Sequence, residues 1–248
     1  MRSIFAVVAL VFTVACNADP VTWGDPVFRG APQAPSDAPA RLSTGDSAAC
    51  VASVRVASGG GPSYAAWWSV NRDSSASLVV ARLSGSGELN KPVVADSSDH
   101  SIRGCGRPPP AIAVDSISGY VHLAYFLEPA AGPGIFFAHS MDSALTFHAA
   151  VPIVFGLNPS RVSVAAHGDR VIVAYEDPNA QQPLIGVALS RTMGHLFESR
   201  MQATPENGRA AQPEVRLKGD TILLWWSEYS ANSAISATRP AYRSAAWR

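Results

Sequence analysis

"PAIAVDSISGYVHLAYFLEPAAGPGIFFAHSMDSALTF" (110–147) is repeated in outline by "SRVSVAAHGDRVIVAYEDPNAQQPLIGVALSRTMGHLF" (160–197). Both copies read as an alternating strand, a turn, a second strand ending in Ala-Tyr, a loop, a third strand and a turn closed by an aromatic residue. Tyr125 and Tyr175 are equivalent and stand 50 residues apart. A period of this length indicates a repeat architecture in which each copy is one supersecondary unit.

Two further copies keep the same register. Trp68 takes the Tyr position in "VASVRVASGGGPSYAAWWSVNRDSSASLVVARLSGSGEL" (51–89), and Trp226 takes it in "PEVRLKGDTILLWWSEYSANSAISATRPAYRSAAW" (213–247). Their strands are rich in β-branched and aromatic residues, and Gly, Pro, Asn and Asp fill the gaps. Repeats of three or four strands every 40–50 residues or so are typical of β-propellers. We therefore predict an all-β protein, a small propeller with about four visible blades and four or five in total.

The turn "SMDSALTF" that closes the first quoted copy resembles the Asp-box (BNR) repeat, S-x-D-x-G-x-T-W/F, of the sialidase-like propellers. Four positions match and a fifth differs, because Ala144 stands where the family has Gly; the matching residues are Ser140, Asp142, Thr146 and Phe147. We expect the Ser and Asp oxygens to accept backbone N–H groups and the aromatic ring to plug the blade. Ala144 should cost about 1 kcal/mol if its φ is positive.

The other copies of this turn are more eroded. The next one keeps Ser190, Gly194 and Phe197 but has Thr192 in place of Asp. The remaining two keep little more than one residue each, Gly87 and Trp247. In the family that the motif resembles, these turns lie at the periphery of the ring, so they predict a fold and not a catalytic site.

The N-terminal part of the chain offers a strand that the last copy lacks. "VTWGDPVFRG" (21–30) reads as the fourth strand of the last blade, and we predict that residues of about 20–30 close the ring. "APQAPSDAPARLSTGDS" (31–47), here called the linker, is a Pro/Ala-rich connection into the first blade. The domain division is therefore 17–47 for the closing strand and linker, and 48–248 for the propeller.

The first 16 residues are predicted to be a signal peptide. One Arg precedes an apolar run from Ile4 to Ala15, which is too short to span a membrane. Cys16 follows in a context that resembles the bacterial lipobox, although Thr13 stands where the family prefers Leu. We expect lipidation at Cys16 and a place at the bacterial outer membrane or cell surface. Plain export to the periplasm or the medium is the alternative.

The composition limits the classes of ligand and partner that we expect. Nineteen Lys and Arg balance nineteen Asp and Glu and no basic block occurs, so nucleic acid is not expected as a partner. Cys50 and Cys105 are predicted to form a disulfide in an exported chain, with two buried free thiols as the alternative. His122 and His195 are read as isolated residues, structural or exposed, so neither a metal site nor a cofactor is expected. A monomer is expected.

The resemblance to sialidases implies an arginine cluster that grips a carboxylate, a Tyr nucleophile with a Glu partner, and an Asp acid/base. Bidentate guanidinium groups suit carboxylates, and the candidates near the starts of the inner strands are Arg55, Arg107, Arg161 and Arg216. The alternative is that they are solvated channel or rim residues. Tyr175 and Glu176 are neighbours in one strand and point to opposite faces, so they do not form a nucleophile and base.

Two tryptophans are candidate platforms for a sugar ring. Trp67 and Trp225 take the position where the other copies have Ala, whereas their neighbours Trp68 and Trp226 are predicted to be core. The alternative is that both members of each pair are buried. We therefore expect a glycan- or protein-binding module at the cell envelope, whose partner is a glycan or an envelope protein. The alternative functions are an exo-sialidase-type glycoside hydrolase and a purely structural lipoprotein.

Overall fold

The computed structural model describes residues 20–35, 40–206, 208–229 and 238–248. The predicted signal peptide and Cys16 lie outside these residues. The described part is all-β, with a single 3-10 turn at Val51–Ser53. The described ranges contain no helix that is long and apolar enough to cross a bilayer.

Sixteen strands form four antiparallel sheets of four strands, one per blade. Strand β1 (Val21–Trp23) precedes them all in sequence. The first blade contains β2 (Arg55–Ser58), β3 (Ser63–Val70), β4 (Ala76–Arg82) and β5 (Val93–Asp96). The second contains β6 (Ala111–Val114), β7 (Val121–Leu127), β8 (Gly134–Ser140) and β9 (Val151–Phe155). The third contains β10 (Val162–His167), β11 (Arg170–Glu176), β12 (Ile185–Ser190) and β13 (Ser199–Gln202). The fourth contains β14 (Ala210–Lys218), β15 (Thr221–Tyr229), β16 (Thr238–Trp247) and β1.

The ring closes as the sequence predicted, because β1 is the outer strand of the fourth blade. It runs antiparallel to β16, with Val21 opposite Trp247 and Trp23 opposite Ala245. An isolated bridge between Val27 and Tyr242 extends the contact beyond β1. This pairing covers the side of β16 that would otherwise be an open edge, and it gives the fourth blade the same number of strands as the other three.

Three of the core clusters in the described residues lie between neighbouring blades, and a fourth lies between the first blade and residues 40–49. All residues of β7 and β8 are buried, on both faces of the sheet, because each blade packs face to face with its neighbours. Trp68 and Tyr125, at equivalent positions of the first two blades, meet edge to face with their ring centroids 5.9 Å apart. Trp226 takes part in the cluster between the third and fourth blades. The predicted core role of these aromatic positions is confirmed.

The turn after β8 has the hydrogen bonds expected of an Asp-box. Ser140 Oγ accepts the N–H of Ala144 (2.9 Å), and Asp142 accepts the N–H of Thr146 (2.9 Å) as well as its hydroxyl (2.6 Å). The side-chain hydrogen bond from Thr146 lowers the pKa of Asp142 to about 2. Ala144 has φ 63°, so the backbone does need the conformation that favours glycine.

The eroded copy after β12 keeps the same hydrogen-bond pattern with different atoms. Ser190 Oγ accepts the N–H of Gly194 (3.0 Å), which corresponds to the bond from Ala144. Thr192 Oγ1 accepts the N–H of Leu196 (2.9 Å), so a hydroxyl takes over the role of the Asp carboxylate. The turn therefore survives the loss of the acidic residue because an oxygen acceptor remains at that position.

The connection between the first two blades is held by covalent and ionic links. A disulfide joins Cys50 and Cys105, whose Cα atoms are 5.3 Å apart, as predicted for this pair of cysteines. Two residues further on, Arg107 forms an ion pair with Asp99, and both side chains are almost completely buried. These links fix the approach to β6 and thus the relative placement of the two blades.

Candidate functional site

The inner strands β2, β6, β10 and β14 surround the axis of the ring, and a small cavity lies between them. Arg55 and Arg216 both line it, together with Glu214, as the sequence predicted for two of the four arginines. Its volume is about 60 Å³, which is far below the roughly 300–1,000 Å³ of small-molecule sites. Ser163 Oγ accepts the N–H of Val215 (3.1 Å) and so ties the third blade to the fourth at the axis.

A larger pocket opens beside the axis, at the end of the fourth blade where its inner strand begins. We call it the mouth pocket; its volume is about 420 Å³. It is lined by Ala34, Pro35, Arg161, Gln212, Glu214, Trp225, Trp226, Ser227, Thr238, Pro240 and Ala241. The volume suits one or two sugar rings, and the lining combines a guanidinium, a carboxylate, an amide, a hydroxyl and two indoles.

The wall of the mouth pocket is held by hydrogen bonds across the blade interface. Glu176 accepts the backbone N–H of Arg161 (3.0 Å) and that of Gln212 (2.8 Å), so one carboxylate joins the third and fourth blades. Gln212 has φ 57°, at the point where the pairing of β14 with β15 shifts register. The Gln212 side-chain oxygen accepts the hydroxyl of Ser227 (2.9 Å). A strained residue fixed by its neighbours is a common feature of binding sites.

The expectation that Trp67 and Trp225 form an exposed platform is wrong. Trp67 is fully buried and Trp225 is 7% exposed. The linker covers both of them: its residue Asp46 accepts the indole N–H of Trp67 (3.1 Å), and the carbonyl of Pro32 accepts that of Trp225 (3.1 Å). Trp225 contributes to the mouth pocket only through the part of its ring that the linker leaves uncovered.

Arg107 does not point to the mouth, contrary to the prediction. Its guanidinium pairs with Asp99 and donates to the carbonyl oxygens of Ser74 and Ser101 (3.0 Å each). Its side chain is 3% exposed, so no ligand can reach it. Arg107 is a structural residue of the connection between the first two blades, and Arg161 lies in the mouth pocket, apart from the axis cavity of Arg55 and Arg216.

Tyr175 is a core residue, as the sequence predicted when it excluded Tyr175 and Glu176 as a nucleophile and base. Burial raises the pKa of Tyr175 to about 12, with the charge of Asp177 acting in the same direction. Glu228 is likewise structural, because it is buried and accepts the indole N–H of Trp226 (2.7 Å) and the N–H of Arg209 (3.2 Å). Tyr175 therefore provides no activated phenolate.

His195 is not isolated, which corrects the reading of the sequence. The rings of His139, His148 and His195 lie together, and one nitrogen of each is within 4.8 Å of those of the other two. Burial, followed by the charges of His148 and His195, lowers the pKa of His139 to about 4. His122 is fully buried beside them, at 6.1 Å from His139 between ring centroids. Sequence spacing hid this cluster because two of its members come from one blade and the third from the next.

The register of the turns was the signal that could have revealed the cluster. His139 directly precedes Ser140, and His148 directly follows Phe147, so both flank the Asp-box turn of the second blade. His195 lies inside the equivalent turn of the third blade, at the position that Leu145 takes in the second. Equivalent turns of adjacent blades are neighbours around a ring, so aligning the repeats places the three residues together.

Comparison with known proteins supports the fold. No protein-family model matches the sequence, and no curated protein matches it. Among solved structures, the Hadza microbial sialidase Hz136 is 14% identical with a TM-score of 0.53, over 76% of this chain and 43% of that protein. The ulvan lyase of polysaccharide lyase family PL25 is 13% identical with a TM-score of 0.51, over 76% and 50%. The phage phi92 endosialidase is 11% identical with a TM-score of 0.50, over 75% and 33%.

The chain therefore spans a third to a half of the length of these proteins. At such low identity the likeness concerns the fold alone. The described residues have a sialidase-like β-propeller fold with four blades.

Proposed function

We propose that this protein is an exported, lipid-anchored β-propeller that binds an anionic glycan in the mouth pocket and does not cleave it. The observation that carries the proposal is the composition of that pocket. Arg161, Gln212, Ser227 and Thr238 line one concavity of about 420 Å³, to which the largely buried Trp225 adds only the uncovered part of its ring. Amides and hydroxyls bond the hydroxyl groups of sugars, and arginine is suited to their carboxylates.

Other cavities fit a glycan less well. A larger one, of about 600 Å³, lies between the outer parts of the first two blades and is lined mainly by Ala and Ser side chains, with Asp96, His100 and Phe136. It offers no guanidinium among its described lining residues. The axis cavity has two arginines but is too small for a sugar ring.

The named functions of similar folds agree with a glycan as the ligand. Of the three solved structures described above, two are a sialidase and an endosialidase, and the third is a lyase solved bound to -[GlcA(1-4)Rha3S]-. All three act on saccharides by their names. Because this chain is at most 14% identical to them, their reactions are not carried over, and the glycan class is supported by the pocket itself.

Hydrolysis of the sialidase type is left out of the proposal for a chemical reason. A Tyr nucleophile needs an adjacent carboxylate that takes its proton. The pKa of Tyr175 is raised, and the described lining of the mouth pocket contains no Tyr. A glycan held there would meet Arg161 and Glu214 but no tyrosine of the described lining.

The experiment is titration calorimetry with sialylated oligosaccharides and their desialylated counterparts, together with a fluorogenic sialoside to detect hydrolysis. We expect binding of the sialylated form, no release of the fluorophore, and at least tenfold weaker binding by Arg161→Gln, because a charge-assisted hydrogen bond contributes about 1.5–3 kcal/mol. Arg191→Gln is the matched control: Arg191 is exposed and follows β12, at the opposite end of the third blade.

Two results would contradict the proposal. Equal affinity for the sialylated and the desialylated sugar would show that Arg161 does not bind a carboxylate of the ligand. Turnover of the sialoside that Arg161→Gln abolishes would favour the hydrolase alternative. Export and anchoring are tested separately, by the mass of the N-terminal peptide at Cys16 and by the loss of membrane association in Cys16→Ser.

A further inference from the structure

The cluster of three histidines lies at the periphery of the ring, where the second and third blades meet. His139 is the last residue but one of β8 and is 4% exposed, whereas His148 and His195 are exposed. The ring centroid of His139 is 4.5 Å from that of His148 and 4.6 Å from that of His195. His139 thus forms the base of the cluster, and the two exposed rings flank it on the solvent side.

Close packing of the two blades brings His195 to this place. Gly194, the residue before it, has φ 90°, and a Cβ atom there would lie 2.4 Å from the ring of Phe137. The absence of a side chain lets the turn of the third blade approach β8 of the second. Phe137 also packs edge to face with Phe197 (5.0 Å), so the position of the turn is fixed from both sides.

A second observation points to a ligand. Nε2 of His139 is buried and has no hydrogen-bond partner among the described residues. Buried polar atoms in folded proteins almost always have a partner, so an orphaned imidazole nitrogen in a cluster of imidazoles calls for one. The other two rings can each offer a nitrogen within 4.8 Å, and nothing covers them on the solvent side.

We propose that His139, His148 and His195 bind a transition-metal ion of the zinc type and that this ion links the second blade to the third. Imidazole ligands suit Zn²⁺, Cu²⁺ and Ni²⁺, whereas Ca²⁺ and Mg²⁺ prefer oxygen ligands. In a tetrahedral zinc site the nitrogens lie about 2.0–2.1 Å from the ion and therefore about 3.3 Å from one another. Small rotations of the two exposed rings would bring their nitrogens from within 4.8 Å of one another to this spacing.

Three protein ligands leave one position of a tetrahedral ion open to water or to an exogenous donor. The exposed side of the cluster, formed by His148 and His195, is where that position faces. The site is separate from the mouth pocket, which lies at the other end of the blades, and it does not depend on the proposed glycan function.

The test uses the tag-free protein, zinc(II) in calorimetry and cobalt(II) in absorption spectroscopy. We expect one metal ion per chain, a visible cobalt spectrum typical of four-coordinate nitrogen ligation, and a rise in Tm with added zinc, because a ligand that binds only the folded state stabilises it. His148→Gln and His195→Gln should each weaken zinc binding at least tenfold, and both residues are exposed enough for the variants to fold.

His100→Gln is the matched control, since His100 is exposed and lies outside the cluster. It should keep the affinity, the cobalt spectrum and the rise in Tm. The proposal is overturned if the wild-type protein shows no stoichiometric binding at micromolar zinc. It is equally overturned if the double variant His148→Gln/His195→Gln binds zinc as tightly as the wild type, because the ion would then lie elsewhere.

Discussion

Replacing Arg107 by Leu should destabilise the protein by about 3–5 kcal/mol without affecting glycan binding. The substitution removes the partner of Asp99, whose side chain is 1% exposed, and leaves a buried carboxylate. Asp99 would keep the N–H groups of Ala76 (3.1 Å), Ser101 (3.4 Å) and Glu128 (3.4 Å) and the hydroxyl of Ser101 (3.2 Å), none of which supplies a charge. At about 2–4 °C for each kcal/mol in a domain of this size, Tm should fall by about 10 °C.

The assay is urea unfolding followed by tryptophan fluorescence, with Arg103→Gln as the control. Arg103 lies four residues away and pairs with Glu128 through two bonds of 2.8 Å, but its side chain is 36% exposed. Exposed ion pairs contribute at most about 1 kcal/mol, so this variant should change little. The double variant Arg107→Leu/Asp99→Asn should recover part of the loss. A wild-type midpoint for Arg107→Leu combined with weaker glycan binding would refute the structural role.

Two further predictions concern the links around the ring. Cys105→Ser removes a disulfide between residues 55 positions apart, so the free energy of unfolding should fall by about 4 kcal/mol by the chain-entropy argument. Thermal unfolding of the variant measures this loss, and non-reducing mass spectrometry of the wild type tests for the disulfide itself. Two free thiols in the wild type would contradict the prediction. Asp142→Asn should lower stability at neutral pH, because hydrogen bonding from Thr146 lowers the folded-state pKa of Asp142 to about 2. A lowered folded-state pKa gives stability that is present above the unfolded value near 4 and is lost as the pH falls through 2. The free energy of unfolding of the wild type and of Asp142→Asn is therefore measured at a series of pH values. The gap between the two should narrow as the pH is lowered, and a gap that stays constant would contradict the charge-based explanation.

The fold was accessible from the sequence because the repeat imposes it locally. The equivalence of Tyr125 and Tyr175 set the period, and "VTWGDPVFRG" supplied the strand that the last blade lacked. Both features depend on strand length and turn chemistry, which neighbouring residues determine. The positive φ of Ala144 likewise followed from its place in the motif.

The site was less accessible because it depends on contacts between distant segments. Alternation in a strand separates two faces, but both faces of a propeller blade are covered, so it wrongly assigned Trp67 to an exposed face, although Trp67 and Trp68 are both buried. The linker also covers Trp67, whose indole N–H donates to Asp46, and no pattern in the neighbouring sequence predicts this contact. Arg107 was misplaced for the same reason, since its partner Asp99 lies in a connection without regular structure.

Ring closure by β1 also has a consequence for biosynthesis. The strand that leaves the ribosome before all the others pairs with β16, the strand that leaves it after them. At about 5–20 residues per second, synthesis from β1 to β16 takes roughly 10–50 s. Until β16 has been made, Val21–Trp23 lacks the strand with which it pairs, whereas the first three blades contain all the strands that their own sheets require. The topology therefore makes closure of the fourth blade the step that needs both the first and the last of the described strands.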